Sequence, residues 1–190
     1  MRRVRRWCAL VALAACSPAE PARPPERYSL GRAATPQEIA ALDVDVAADG
    51  AGLPPGSGTV ADGQTIYAQK CASCHGVRGE GIMPFNPRLV GRDSIAEKFP
   101  FGVTPGLPRT IGNYWPYATT VFDYVRRAMP LTAPGSLTND EVYALTAYLL
   151  AANNVLPVAS RLDATLLKSV KMPYVDRFVP DDRRGGREVK

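Results

Sequence analysis

Cys71-Ala72-Ser73-Cys74-His75 gathers two of the four cysteines and the sole histidine of this chain into five residues. Three chemistries use cysteines at this spacing: zinc binding, thiol–disulfide exchange and covalent attachment of haem c. A structural zinc site takes four protein ligands. Cys71, Cys74 and His75 supply three, no second histidine exists, and Cys8 and Cys16 lie near the N-terminus. A thioredoxin-like dithiol needs a βαβ setting, and no alternating strand pattern is present to build one. Haem leaves no part missing. Thiols one helical turn apart can each add to a vinyl group, and the histidine directly after them can bind iron from the proximal side. The single CxxCH implies one haem c, tethered by Cys71 and Cys74 and ligated by His75.

A second axial ligand has to come from a methionine. Met83 follows His75 closely, in a loop that stays on the proximal side, and Met172 lies beyond the last helix. Met129 ends a helix in Arg127-Ala128-Met129-Pro130, one loop before a capped terminal helix, where its thioether can be carried across the distal face. With a haem present, Met129 is the expected ligand; without one it would be a core methionine. His/Met ligation raises the reduction potential and closes the iron to other ligands, which favours electron transfer; an open haem site would follow if Met129 were not a ligand. In the loop after His75, the carbonyl of Pro84 or Pro87 is placed to accept a hydrogen bond from the second imidazole nitrogen. Arg88, Arg92, Arg109, Tyr114 and Trp115 are candidate donors to haem propionates, because charge-assisted bonds suit buried carboxylates.

The elements that must hold these residues are helical. One helix runs from about Asp62, read as its N-cap, through Ile66 and Tyr67 to the cysteines. A second spans Ala118 to Ala128, with Phe122, Val125 and Met129 on one face and Pro130 as its stop. In the third, Thr138-Asn139-Asp140-Glu141 is a capping box, Val142, Leu145 and Leu149 form the apolar stripe, and Asn153, Asn154 and Pro157 end it. The fold class is therefore mainly α, three main helices joined by long loops.

The chain of 190 residues is 46% hydrophobic, enough for one modest domain with tails. Residues 1–15 read as an export signal, with arginines ahead of the apolar run Trp7 to Ala15, too short to span a bilayer. Leu13-Ala14-Ala15-Cys16 has the form of a lipobox, making Cys16 the acylated N-terminus of a membrane-anchored periplasmic protein; Ser17 would not retain it in the inner membrane, which points to the outer one. The formal charge of +5 owes four units to Arg2, Arg3, Arg5 and Arg6, so the mature chain has 19 basic against 18 acidic side chains and no case for a nucleic-acid partner. Residues 16–32 form a proline-rich tether able to hold a domain about 50 Å from its anchor. Residues 33–58 read as an extended arm in which TPQEIAAL can make a helical turn. Residues 59–152 hold the haem, and 153–190 form a C-terminal extension whose end, DDRRGGREVK, is read as disordered.

CASCHG, NPRLVGR, RRAMP and the closing helix together resemble a class I c-type cytochrome over roughly residues 60–152. The stretches GRAATPQEIAALDVDVAADGAGLPPGSG, RTIGNYWPYATTVFDYVRRAMPLTAPGSLTNDEVYALTAYLL and KMPYVDRFVPD extend that resemblance to the cytochrome c subunit of bacterial sulfite or sulfane dehydrogenases of the sulfur-oxidation (Sox) pathway. The resemblance implies a molybdenum-containing dehydrogenase as partner. The chain would not be an enzyme by itself; it would take electrons from sulfite or a protein-bound sulfane and hand them to a respiratory acceptor. The other reading within electron transfer is a lipid-tethered shuttle between a respiratory complex and a terminal oxidase. Some Sox cytochrome subunits carry two haem domains, whereas one CxxCH leaves room here for one.

Overall fold

The computed structural model describes residues 30–82, 84–91 and 106–179. Helix α1 (Pro36–Leu42) opens on a capping box between Thr35 and Glu38 with a proline in its first turn, and none of its residues is buried. Strand β1 (Ser57–Thr59) leads into α2 (Val60–Lys70), and the short α3 (Ala72–His75) follows after Cys71. Helices α4 (Ala118–Ala128) and α5 (Asn139–Ala152) come next, then strand β2 (Arg161–Asp163), α6 (Ala164–Ser169) and a single 3₁₀ turn at Val175–Arg177. The described chain is mainly α, as its capped apolar stripes require. The signal and most of the tether, including Cys16, and the C-terminal end lie outside the described residues.

One boundary and three elements differ from the sequence reading. The N-cap of α2 is Thr59 rather than Asp62: the Thr59 hydroxyl accepts from the Asp62 N–H at 3.1 Å and donates to its carboxylate at 2.6 Å. Asp62 is thus the third helical residue, where a carboxylate also suits the positive end of the helix dipole. Strands β1 and β2 pair antiparallel with Gly58 opposite Leu162, a contact between segments so distant that three-residue strands carry no local signal of it. Helix α6, capped by Asp163, buries only Leu167 and so shows no stripe. The Thr138–Glu141 capping box of α5 and the Pro130 stop of α4 stand where the sequence put them: Met129 is the C-cap of α4, with the extended backbone that a following proline imposes.

Helix α5 is the central element, with Val142, Tyr143, Leu145, Ala147, Leu149 and Leu150 all buried. It crosses α2 and β1 at two glycines. A Cβ on Gly63 would stand 1.9 Å from the Ala144 carbonyl oxygen, and one on Gly58 2.3 Å from the Ala144 nitrogen, so only hydrogen at both positions allows this approach. Tyr67 and Tyr148 pack across the same crossing with ring centroids 5.0 Å apart, and Lys70 pairs with Glu141 at 2.6 Å. Phe122 of α4 meets Tyr143 of α5 at 4.5 Å. Offset and tilted ring pairs of this kind add about 0.5–1.5 kcal/mol beyond the area they bury.

Both flanks join the same core. Val46 is 3% exposed, and its N–H donates to the Asp123 carboxylate at 2.8 Å, while Thr119 and Arg126 donate to the carbonyls of Ala48 and Val44. The Tyr143 hydroxyl reaches the Pro54 carbonyl at 2.8 Å. From the other end, Leu162, Leu167 and Met172 are buried against the helices. Each such side chain contributes about 1.5–3 kcal/mol by leaving water.

Candidate functional site

Cys71 ends α2 and begins α3, so the motif sits on a helical kink held by backbone bonds. The N–H groups of Cys74 and His75 donate to the Cys71 carbonyl at 3.1 and 2.9 Å, and that of Gly76 to Ala72 at 2.9 Å. Both thiols are free, Cys71 half-buried and Cys74 exposed. Burial pushes the Cys71 thiol up to about 11; Lys70 nearby pulls the other way and the Cys74 sulfur adds to the rise. The neutral thiol is therefore the resting form. Among the described residues, no cluster of three or more His, Cys, Asp or Glu is arranged to hold a metal ion, so a zinc site finds no fourth ligand there.

His75 Nδ1 is buried and, among the described residues, has no hydrogen-bond partner. The expected bond to the Pro84 or Pro87 carbonyl is not made, which corrects the sequence reading of Pro87. The loop is tied instead by its own backbone: Gly81 N–H donates to the His75 carbonyl at 2.8 Å, and the N–H groups of Leu89 and Val90 donate to Gly79 at 2.8 and 3.0 Å. These returns need the positive φ of Gly79 and Gly81, and they leave Pro87 facing solvent. The Tyr67 hydroxyl holds the start of the loop by donating to the Gly76 carbonyl at 3.0 Å.

The other expected site residues divide. Arg88 is half-buried and its Nε donates to the Val90 carbonyl at 2.6 Å. Arg109 lies over the Tyr114 ring at 4.6 Å, and Tyr114 meets Phe178 of the C-terminal extension edge-on at 5.4 Å. Trp115 gives its one N–H to the Thr120 hydroxyl at 2.8 Å and packs on the core beside Tyr124, so this structure spends inside the chain the donor that the sequence reading assigned to a propionate. Met129 is half-buried at the end of α4, and the Met129–Pro130 peptide is cis. Met172 is 1% exposed within the hydrophobic core and is spent on packing. Met83, Arg92 and Cys16 lie outside the described residues.

A haem suits what is present: two free thiols on one helical turn, a histidine directly after them, and a thioether at a helix end. The family model for cytochrome c matches residues 60–153. A solved structure, the sulfane dehydrogenase SoxCD from Paracoccus pantotrophus, contains a chain 43% identical to this one, with a TM-score of 0.70 over 83% of this chain and 74% of that one. This chain is a c-type cytochrome. The cytochrome has the class I fold, and the family implies one covalently bound haem c. It is also 32% identical over 100 residues to a thiosulfate dehydrogenase of Stutzerimonas stutzeri (strain A1501), of which it spans 28% of the length and which matches 50% of this chain. The family implies electron transfer as the cytochrome's role.

Two features of the cytochrome escaped the sequence reading. Asp123 is an acceptor buried between α4 and the arm, paired with Arg127 at 2.5 Å. Asn153, read only as a helix stop, bonds backbone groups of two loops that flank the site. An asparagine closing an apolar helix was visible in the sequence; its partners, at 89–91 and 112, were not.

Proposed function

We propose that this cytochrome accepts electrons singly from a molybdenum-dependent sulfite or sulfane dehydrogenase and passes them to the respiratory chain. The observation that carries the reading is the extent of the likeness to SoxCD. It takes in 83% of this chain, whereas the cytochrome c family model stops at residues 60 and 153. The likeness therefore includes flanks that a haem alone does not require. A dehydrogenase that removes two electrons from a sulfur atom needs a one-electron acceptor to turn over twice, and a closed haem serves that purpose.

In this reading His75 and Met129 would ligate the haem iron, Cys71 and Cys74 would fix the haem covalently, and Arg109, Tyr114 and Arg88 would supply donors to its propionates. Tyr114 is held by the Arg109 and Phe178 contacts. The chain is exported, acylated at Cys16 and tethered on the periplasmic side, consistent with the lipobox and the proline-rich segment behind it. Gentle detergent extraction of native membranes, with molybdenum measured across the haem-containing fractions, tests the partnership. Co-elution in constant ratio is expected; haem that separates completely from molybdenum would refute a stable complex.

A further inference from the structure

We infer that Asn153 is a positioning residue for the haem, whose side-chain amide registers the loop leaving His75 against the loop that carries Tyr114 and Trp115. It is 1% exposed at the C-terminal end of α5, and all four hydrogen-bonding positions of its carboxamide are used. Oδ1 accepts from the N–H groups of Gly91 and Gly112, each at 3.0 Å; Nδ2 donates to the carbonyls of Leu149 at 2.8 Å and Leu89 at 3.3 Å. Ending a helix requires none of the three bonds that leave α5.

The knot around this amide is closed by its neighbours. The Thr110 hydroxyl donates to the Gly91 carbonyl at 2.5 Å, Ile111 N–H to Leu89 at 3.0 Å, and Thr110 N–H to the Asn113 side chain at 2.7 Å. A Cβ on Gly112 would stand 2.6 Å from Asn153 Oδ1, so a glycine is what lets the amide come this close. One loop reaches the knot from His75 through the Gly79 and Gly81 bonds, and the other leads straight into Tyr114 and Trp115. Residues on both sides of the site are thereby referred to one buried side chain. Replacing Asn153 by leucine of similar size leaves the Gly91 and Gly112 N–H groups to seek water, which opens the wall. Greater solvent access favours the more positively charged, oxidised haem.

The inference rests on haem being held at Cys71, Cys74 and His75, and the haem content of each preparation reports on that assignment separately. The experiment is a redox titration of the full-length, haem-loaded cytochrome and three variants. Asn153→Leu is expected to shift the equilibrium with a mediator toward oxidised haem by at least about threefold. Thr110→Val, isosteric and milder, should move it the same way by less. Leu167→Ala in α6, which supplies nothing to the knot, should lower thermal stability and leave the equilibrium unchanged. If Asn153→Leu does not yield folded holoprotein, Thr110→Val decides. Overlap of the Asn153→Leu and Thr110→Val titrations with wild type would overturn the inference, as would an equal shift in Leu167→Ala.

Discussion

Gly63→Ala isolates the helix crossing on which the haem site is built. The added methyl carbon would lie 1.9 Å from the Ala144 carbonyl oxygen, 2.5 Å from its carbonyl carbon and 2.8 Å from Tyr148 Cβ. Ordinary contact begins near 3.4 Å, so α2 and α5 must part by about 1.5 Å. Overpacking of this kind costs about 1–3 kcal/mol, and more where backbone is the obstacle. Alanine in a helix interior recovers about 0.5–1 kcal/mol over glycine. Steric strain wins, and the net loss is expected at about 1–2 kcal/mol. Urea unfolding of the haem-loaded protein should show a lower midpoint with unchanged slope. The melting temperature should fall by about 5–10 °C for a domain of this size. Because the clash is with main chain, adding Ala144→Gly should not restore the midpoint. A Gly63→Ala midpoint equal to or above wild type, or full recovery in the double variant, would refute the reasoning.

Met129→Ala should abolish the weak sulfur-to-iron absorption at the red end of the oxidised spectrum while the helical circular dichroism persists; an unchanged spectrum removes Met129 from the iron. The hydrogen bond from Arg127, then that from the Val46 N–H, holds the Asp123 carboxyl below its ordinary range against the opposing effect of burial. Its contribution is therefore present above the unfolded value near pH 4 and lost as pH falls through the lower folded value. Asp123→Asn should cost about 1–3 kcal/mol at neutral pH and flatten the acid side of the stability profile, and an identical slope from about pH 5 to 2 would contradict this. Burial, reinforced by Cys71, Tyr148 and Glu80, raises the Tyr67 phenol, so it remains the donor to Gly76 and its contribution is lost only as pH climbs past about 10. Tyr67→Phe should cost about 1 kcal/mol in neutral denaturant titrations and remove that alkaline loss.

How far the sequence could be read depended on whether a signal was local. The Thr138–Glu141 box, the Pro130 stop and the CxxCH turn each lie within a few residues, and each stands where expected. The start of α2 lies nearly a full turn earlier than expected, because Thr59 and Asp62 bond each other and either residue type can cap. Strand β1 finds its partner across the whole cytochrome domain, and Val46 joins the core beside Asp123, which accepts its N–H. The Pro87 expectation failed for a related reason: the loop closes through Gly79 and Gly81, and nothing in the spacing of the prolines showed that. Asn153 shows the same limit, since three of its four bonds reach outside its own helix.

The most direct test of electron acceptance from a sulfur dehydrogenase is rapid mixing of the oxidised, haem-loaded cytochrome with that dehydrogenase and its sulfur substrate, followed at the reduced haem band. The account predicts substrate-dependent reduction that stops at one electron per chain. Haem that stays oxidised while the dehydrogenase turns over with an artificial acceptor would contradict it.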